Sequence, residues 1–147
     1  MQQNCHSILV EASAKDIFPQ ILLWGEAEWW PKKSQMKFIR ETSGEIKIGT
    51  RYLQKVLLPF APQWEVEVNC LESNKKVGRK FLNGIFTGAE WVELEPVAGL
   101  TKVKYIMNFE VNGFLNRGLW NLFFRRLHDR NLEMILTNLR DFIVNKI

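Results

Sequence analysis

The sequence predicts an α+β domain: a curved antiparallel sheet of about seven strands, two short helices, and one long C-terminal helix laid across the sheet. Three observations carry this. Two segments, Trp64 to Cys70 and Lys102 to Val111, alternate apolar and polar residues, the mark of strands covered on one face. Asn83-Gly84 sits between two strand-like runs, the strongest short hairpin signal. The last stretch, from about Leu115 to Ile147, keeps a helical stripe of Leu119, Leu122, Phe123, Leu127, Leu132, Ile135, Leu136, Leu139, Phe142 and Ile143.

In chain order, His6 to Ala12 reads as a first strand through its apolar run Ile8-Leu9-Val10. Ser13 can then cap a helix with Asp16 in its first turn, and Ile17, Phe18, Ile21, Leu22 and Trp24 follow at helical spacing. Pro19 falls early, where its missing N–H costs little, and Gly25 ends the segment. A second short helix is expected from Glu26 to Trp30, stopped by Pro31. Strands follow at Met36 to Arg40, Arg51 to Leu58 and Trp64 to Cys70. The hairpin Val77 to Leu82 and Ile85 to Glu95 comes next, and then Lys102 to Val111. Short turns between sequential strands make the sheet antiparallel. A helix of about 30 residues spans ~45 Å, enough to cover its buried face.

The 147 residues fit one domain, expected to span 1–147. A composition 46% hydrophobic and 24% charged is globular rather than disordered. The net charge of +4 is spread among interleaved acids, as in Arg40-Glu41 and Glu45-Ile46-Lys47, so nucleic acid is not an expected partner. Cys5 and Cys70 are too few for a disulfide framework or a zinc site and read as free thiols. No metal cluster, Gly-rich phosphate loop or nucleophile–base signature stands out, and no metal or cofactor is expected. Met1 to His6 lacks the basic and apolar regions of a secretory signal, and no apolar run reaches the ~20 residues that span a bilayer. The cytoplasm is the expected location.

Strand parity follows from the charged face. With Glu65, Glu67, Lys102 and Lys104 outward, Trp64, Val66, Val68, Tyr105, Met107 and Phe109 point inward. A two-residue turn at Asn83-Gly84 pairs Phe81 with Phe86 and Arg79 with Gly88, placing Arg79, Phe81, Phe86, Gly88, Glu90 and Val92 on one face. The opposite face carries Lys80, Thr87, Glu93 and Glu95, with Trp91 out of pattern. On that reading Arg79 and Glu90 are inward diagonal neighbours. Parity in the third strand is ambiguous: either Tyr52 and Gln54 face inward, or Arg51, Leu53 and Lys55 do.

The element order and several local marks resemble the Bet v 1/START-like (SRPBCC) superfamily, which includes polyketide cyclase/dehydrase-like and lipid-transfer proteins. The marks are Ala12-Ser13-Ala14-Lys15-Asp16-Ile17-Phe18 at the strand-to-helix entry and Trp29-Trp30-Pro31 after the short helices. Ile48-Gly49-Thr50 before the third strand, Trp91 through Pro96, and Gly99-Leu100-Thr101 entering the last strand complete them. The similarity covers nearly the whole chain and specifies fold better than function. It implies a helix-grip fold with a deep cavity between concave sheet and long helix, in a family that binds sterols, lipids, polyketides or quinones, some members being enzymes.

Carried onto that cavity, the inward residues become candidate ligand contacts: Tyr52, Trp64, Val66, Arg79, Phe81, Phe86, Glu90, Val92, Tyr105, Met107, Phe109, Phe124 and His128. Arg79 is suited to hold a carboxylate or hydroxyl, and Glu90 to act as acid or base; the alternative is a half-exposed salt bridge between them at the sheet's edge. His128 lies between Phe124 and Leu132 near the buried stripe, either as a proton shuttle or as a satisfied structural histidine. Trp30 packs where the short helices meet the sheet, or serves as a lid. The run Phe114 to Arg126 is apolar and basic. Its rings are expected to roof the cavity, the alternative being contact with a membrane surface. Three functions remain open: a carrier of a small hydrophobic molecule; a cyclase, dehydrase or hydrolase with Glu90 or His128 as acid–base groups and Arg79 or Tyr105 steadying an enolate; and an interaction module whose cavity is filled by side chains. A cavity of roughly several hundred Å³ would separate the first two from the third.

Overall fold

The computed structural model describes residues 1–59 and 61–146. Its strands are β1 (Gln2–Val10), β2 (Met36–Arg40), β3 (Arg51–Val56), β4 (Gln63–Glu72), β5 (Lys76–Asn83), β6 (Phe86–Val97) and β7 (Leu100–Val111). They form one antiparallel sheet in the order β1-β7-β6-β5-β4-β3-β2. Helix α1 (Ala14–Leu22) follows β1. The C-terminal helix runs in three contiguous parts: α2 (Phe114–Leu119), a π-helical turn (Trp120–Phe124) and α3 (Arg125–Lys146). Ile147, the last residue of the expected helix, lies outside the described residues. The sheet curls around the C-terminal helix, which is the helix-grip architecture.

Local chemistry accounts for the helix ends. Ser13 caps α1, its hydroxyl accepting from the Asp16 backbone N–H at 3.2 Å. Ile17, Phe18 and Ile21 are the buried face of α1, and Leu132, Ile135, Leu136, Leu139 and Ile143 that of α3. Both stripes meet the inward residues of β4 to β7 in one core. At the π-helical turn the Arg125 backbone N–H donates to the Trp120 carbonyl, five residues back, which shifts the phase of α2 against α3.

Several sequence expectations change, the first strand ending at Val10 and the first helix at Leu22 among them. β1 starts at Gln2 rather than His6, because Gln2 to Cys5 pair with Phe109 to Ile106 of β7. β3 stops at Val56 rather than Leu58. Glu26 to Trp30 forms turns, not a second short helix. Gly25 there adopts φ +90°, outside the helical region, and a Cβ on it would overlap the Phe38 ring. Finally, the β5–β6 hairpin slips by two residues: Arg79 pairs with Glu90 and Gly78 with Trp91. A type I′ turn needs positive φ at both central residues. Only Gly84 has it, at +94°, while Asn83 stays extended and pairs with Glu65 of β4. A two-residue slip preserves parity, so the inward assignments of Arg79, Phe81, Phe86, Glu90 and Val92 stand; a bulge between Val68 and Cys70 moves Cys70 to the opposite face from Val68.

Arg79 and Glu90 thus become direct inward partners instead of diagonal ones. The third strand resolves with Tyr52 and Gln54 inward, both essentially inaccessible. Cys5 and Cys70 are free thiols. No helix among the described residues is long and apolar enough to cross a membrane.

Gly88 marks the tightest backbone approach in the sheet. Its φ is +132°, and a Cβ would overlap the Asn108 carbonyl oxygen on β7. Backbone cannot yield as a flexible side chain can. Gly88→Ala is therefore expected to destabilise the protein by about 2 kcal/mol or more, read as a lowered urea midpoint. An unchanged midpoint would mean that β6 and β7 are further apart than described.

Candidate functional site

The concave face carries a buried carboxyl group. Glu90, on β6, is 5% exposed. The Tyr105 hydroxyl on β7 donates to its Oε2 at 2.6 Å, and Gln54 Nε2 on β3 donates to its Oε1 at 2.9 Å. Trp64 Nε1 on β4 in turn donates to Gln54 Oε1. Glu90 and Gln54 together tie four strands. Burial raises the Glu90 pKa, opposed by the Tyr105 hydrogen bond, the nearby Arg79 charge and Gln54. Burial, reinforced by Glu90, holds the Tyr105 hydroxyl well above its ordinary value.

Arg79 does not close on Glu90, so the alternative of a half-exposed salt bridge between them does not hold. The guanidinium is 4% exposed and turns the other way. Its Nη2 donates to the Trp24 carbonyl at 3.2 Å, and its Cζ stands 4.5 Å from the centre of the Tyr52 ring and 5.3 Å from that of Phe38. Cation–π contacts and one carbonyl replace a carboxylate as its partners. Its Nε and the Tyr52 hydroxyl have no hydrogen-bond partner among the described residues.

Toward the start of the C-terminal helix an apolar cleft opens between sheet and helix. Met36, Trp64, Phe81, Phe86 and Met107 line it from the sheet, and Trp120, Phe124, Leu127, His128 and Asn131 from the helix, with Glu90 at its base. Three buried polar atoms of these residues lack a partner among the described residues: Trp120 Nε1, His128 Nε2 and Asn131 Nδ2. The other end of the Asn131 amide is used, Oδ1 accepting from the Gln35 N–H at 3.3 Å. His128 is packed between the Trp120 and Tyr105 rings, at 5.6 and 5.8 Å between centroids. Burial, with His6 beside it, lowers its pKa from 6.5 to about 4, so the ring is neutral at physiological pH.

The cleft is narrow. Its cavity is about 30 Å³, enough for a water or two, and a second cavity of about 10 Å³ lies among Ile21, Trp24, Arg79, Glu90 and Tyr105. The hundreds of Å³ expected of a ligand site are taken up by rings. Phe86 packs against Trp64 at 5.0 Å, Trp120 at 5.3 Å and Phe109 at 5.6 Å between centroids.

Of the residues singled out from sequence, Trp64, Phe81, Phe86, Glu90, Met107, Phe124 and His128 line the cleft. Arg79, Val92 and Tyr105 line the smaller cavity, which Glu90 also touches. Tyr52, Val66 and Phe109 are buried on the same concave face but line neither. Trp30 packs as the structural alternative had it, on Trp24, Trp29 and Phe38, its Nε1 donating to the Met36 carbonyl at 3.2 Å. Sequence reasoning passes over Asn131. Asn131 follows His128 by three residues on the same helix face, the one signal that marks it. The expected roof of rings is only partly there: Trp120 and Phe124 turn to the cleft, while Phe114, Leu115, Leu119, Leu122 and Phe123 face outward.

No family model matches the chain, and no curated protein matches it. Solved structures do. TTHA0849 from Thermus thermophilus superposes with a TM-score of 0.73 at 15% identity, over 99% of each chain. Norcoclaurine synthase from Thalictrum flavum, in complex with dopamine and hydroxybenzaldehyde, gives 0.70 at 13% identity, over 98% of this chain and 87% of that one. The Aha1 dimer from Colwellia psychrerythraea gives 0.67 at 17% identity, over 97% and 96%. The chain shares the fold of these proteins. At these identities the likeness is one of fold.

The buried ionisable groups make two testable demands. The unfolded chain protonates His128 near 6.5 and the folded chain near 4. The neutral ring's contribution is therefore complete above pH 6.5 and is lost as pH falls toward 4, by roughly 3 kcal/mol. Urea unfolding across that window should show wild type losing more stability than His128→Gln; parallel losses would place His128 in water. Tyr105→Phe removes a hydrogen bond that stabilises the ionised form of Glu90, so it should raise the Glu90 pKa further. Carboxyl-carbon NMR titration reads this directly, and an unchanged value would contradict the bond.

Proposed function

We propose that the chain binds a small, largely apolar molecule bearing a neutral oxygen, in the cleft between sheet and C-terminal helix. The observation that carries the reading is that three residues lining one apolar cleft each carry a buried polar atom without a partner among the described residues: Trp120 Nε1, Asn131 Nδ2 and His128 Nε2. Leaving one buried donor unpaired costs about 1–3 kcal/mol, so three in one place make sense when a group that is not part of the chain pairs them. Trp120 and Asn131 offer N–H donors, which suit a carbonyl or hydroxyl oxygen. His128 is neutral, and burial favours the neutral acid of Glu90, so the site offers a charged ligand little compensation for losing its water. The ligand complex of norcoclaurine synthase, with dopamine and hydroxybenzaldehyde, lends support by the analogy of fold alone.

For such a molecule to enter, Phe86 and Trp120 must part, because the cavity is about 30 Å³. That filled interior favours a second reading, an interaction module with a closed core. Native mass spectrometry on protein from its own host, followed by denaturing extraction, separates the two. A stoichiometric small molecule supports binding. Failure to load any member of a lipid, sterol, polyketide and quinone panel supports the closed core. For a loaded ligand, Asn131→Leu is expected to weaken affinity about tenfold through one lost hydrogen bond. An unaltered affinity would move the ligand away from the helix.

A further inference from the structure

Helix α2 buries none of its residues. Across it and the π-helical turn, Phe114, Leu115, Leu119, Leu122 and Phe123 are 87%, 73%, 43%, 82% and 56% exposed. Five large apolar side chains in ten residues make a contiguous outward patch of the kind that marks an interaction surface. Arg117, Arg125 and Arg126 lie on the same segment, all exposed. None is in an ion pair among the described residues. From Val111 to His128 the chain has no Asp or Glu.

We propose that this segment is a docking surface for an anionic lipid bilayer, with Phe114, Leu115, Leu122 and Phe123 entering the headgroup boundary and the three arginines on lipid phosphates. Charge decides between occupants. Outward aromatic and leucine side chains with unopposed arginines are the composition of a helix lying in a bilayer interface. A second copy of the chain in a two-fold contact would set the same arginines against each other. The patch also adjoins the cleft: the π-helical turn that sends Leu122 and Phe123 outward sends Trp120 and Phe124 into the cleft lining. Docking through this face brings the cleft's entrance to the lipid. The surface stands on its own exposure and charge and does not depend on what the cleft binds.

Flotation with vesicles tests this, using phosphatidylcholine alone and phosphatidylcholine mixed equally with phosphatidylglycerol. Wild type is expected to co-float with the mixed vesicles and to be released by raised salt. Phe114→Ser with Leu122→Ser should lower the bound fraction about tenfold or more. Arg125→Gln with Arg126→Gln should lower it on mixed vesicles several-fold. Leu115→Ser with Phe123→Ser provides an independent pair, and matched thermal melts verify folding. Wild type that stays unbound, or apolar variants that bind as well as wild type, overturn the proposal. So does a concentration-dependent dimer, seen by sedimentation without flotation and abolished by the same variants, which would give the surface to a second copy. The vesicles carry no cleft ligand, so an empty protein in the mass-spectrometric experiment leaves these outcomes unchanged.

Discussion

The buried carboxyl of Glu90 is the constraint around which the concave face is arranged. A carboxyl removed from water costs several kcal/mol unless its oxygens are hydrogen-bonded or it stays protonated. Here both oxygens accept, from Tyr105 and from Gln54, and Gln54 is itself held by Trp64. Meeting that one requirement sets the inward orientation of β3, β4, β6 and β7 relative to each other. Arg79 sits opposite on β5 without bonding to Glu90, its charge held instead by Tyr52, Phe38 and the Trp24 carbonyl. The two groups still sense each other, since Arg79 opposes the rise in the Glu90 pKa.

The C-terminal helix completes the arrangement and also limits it. Its α3 part packs closely on the sheet, while the π-helical turn carries Trp120 into a ring cluster with Phe86, Phe109 and His128. Rings fill space that would otherwise be cavity, so the fold's potential for holding a ligand depends on their moving. The same turn leaves α2 without a packing partner in the sheet. Filling on one side and exposure on the other have one origin, the change of helical phase between α2 and α3.

Much of this is legible in the sequence, for identifiable reasons. Charged residues on alternate positions of β4 and β7 mark the inward faces, and these hold for Val66, Tyr105, Met107 and Phe109. Parity survives even where register does not, since the hairpin slip is two residues and not one. The slip itself is hidden: Asn83-Gly84 signals a tight turn, but Asn83 is drawn into the β4 ladder beside Glu65. The three-tryptophan cluster of Trp24, Trp29 and Trp30 overrides helical spacing after Gly25. The outward turn of Phe114, Leu115 and Leu122 is unreadable because apolar residues at helical spacing look the same whether they cover a core or meet another surface.

What the cleft is for depends on whether Trp120, His128 and Asn131 share a partner that does not belong to the chain. A crystal structure of the protein as purified from its own host measures this most directly. Ordered density is expected in the cleft, with an oxygen placed to accept from Trp120 Nε1 or from Asn131 Nδ2. Side chains that instead turn to partners within the protein, closing the cleft with nothing between them, would contradict a ligand site there.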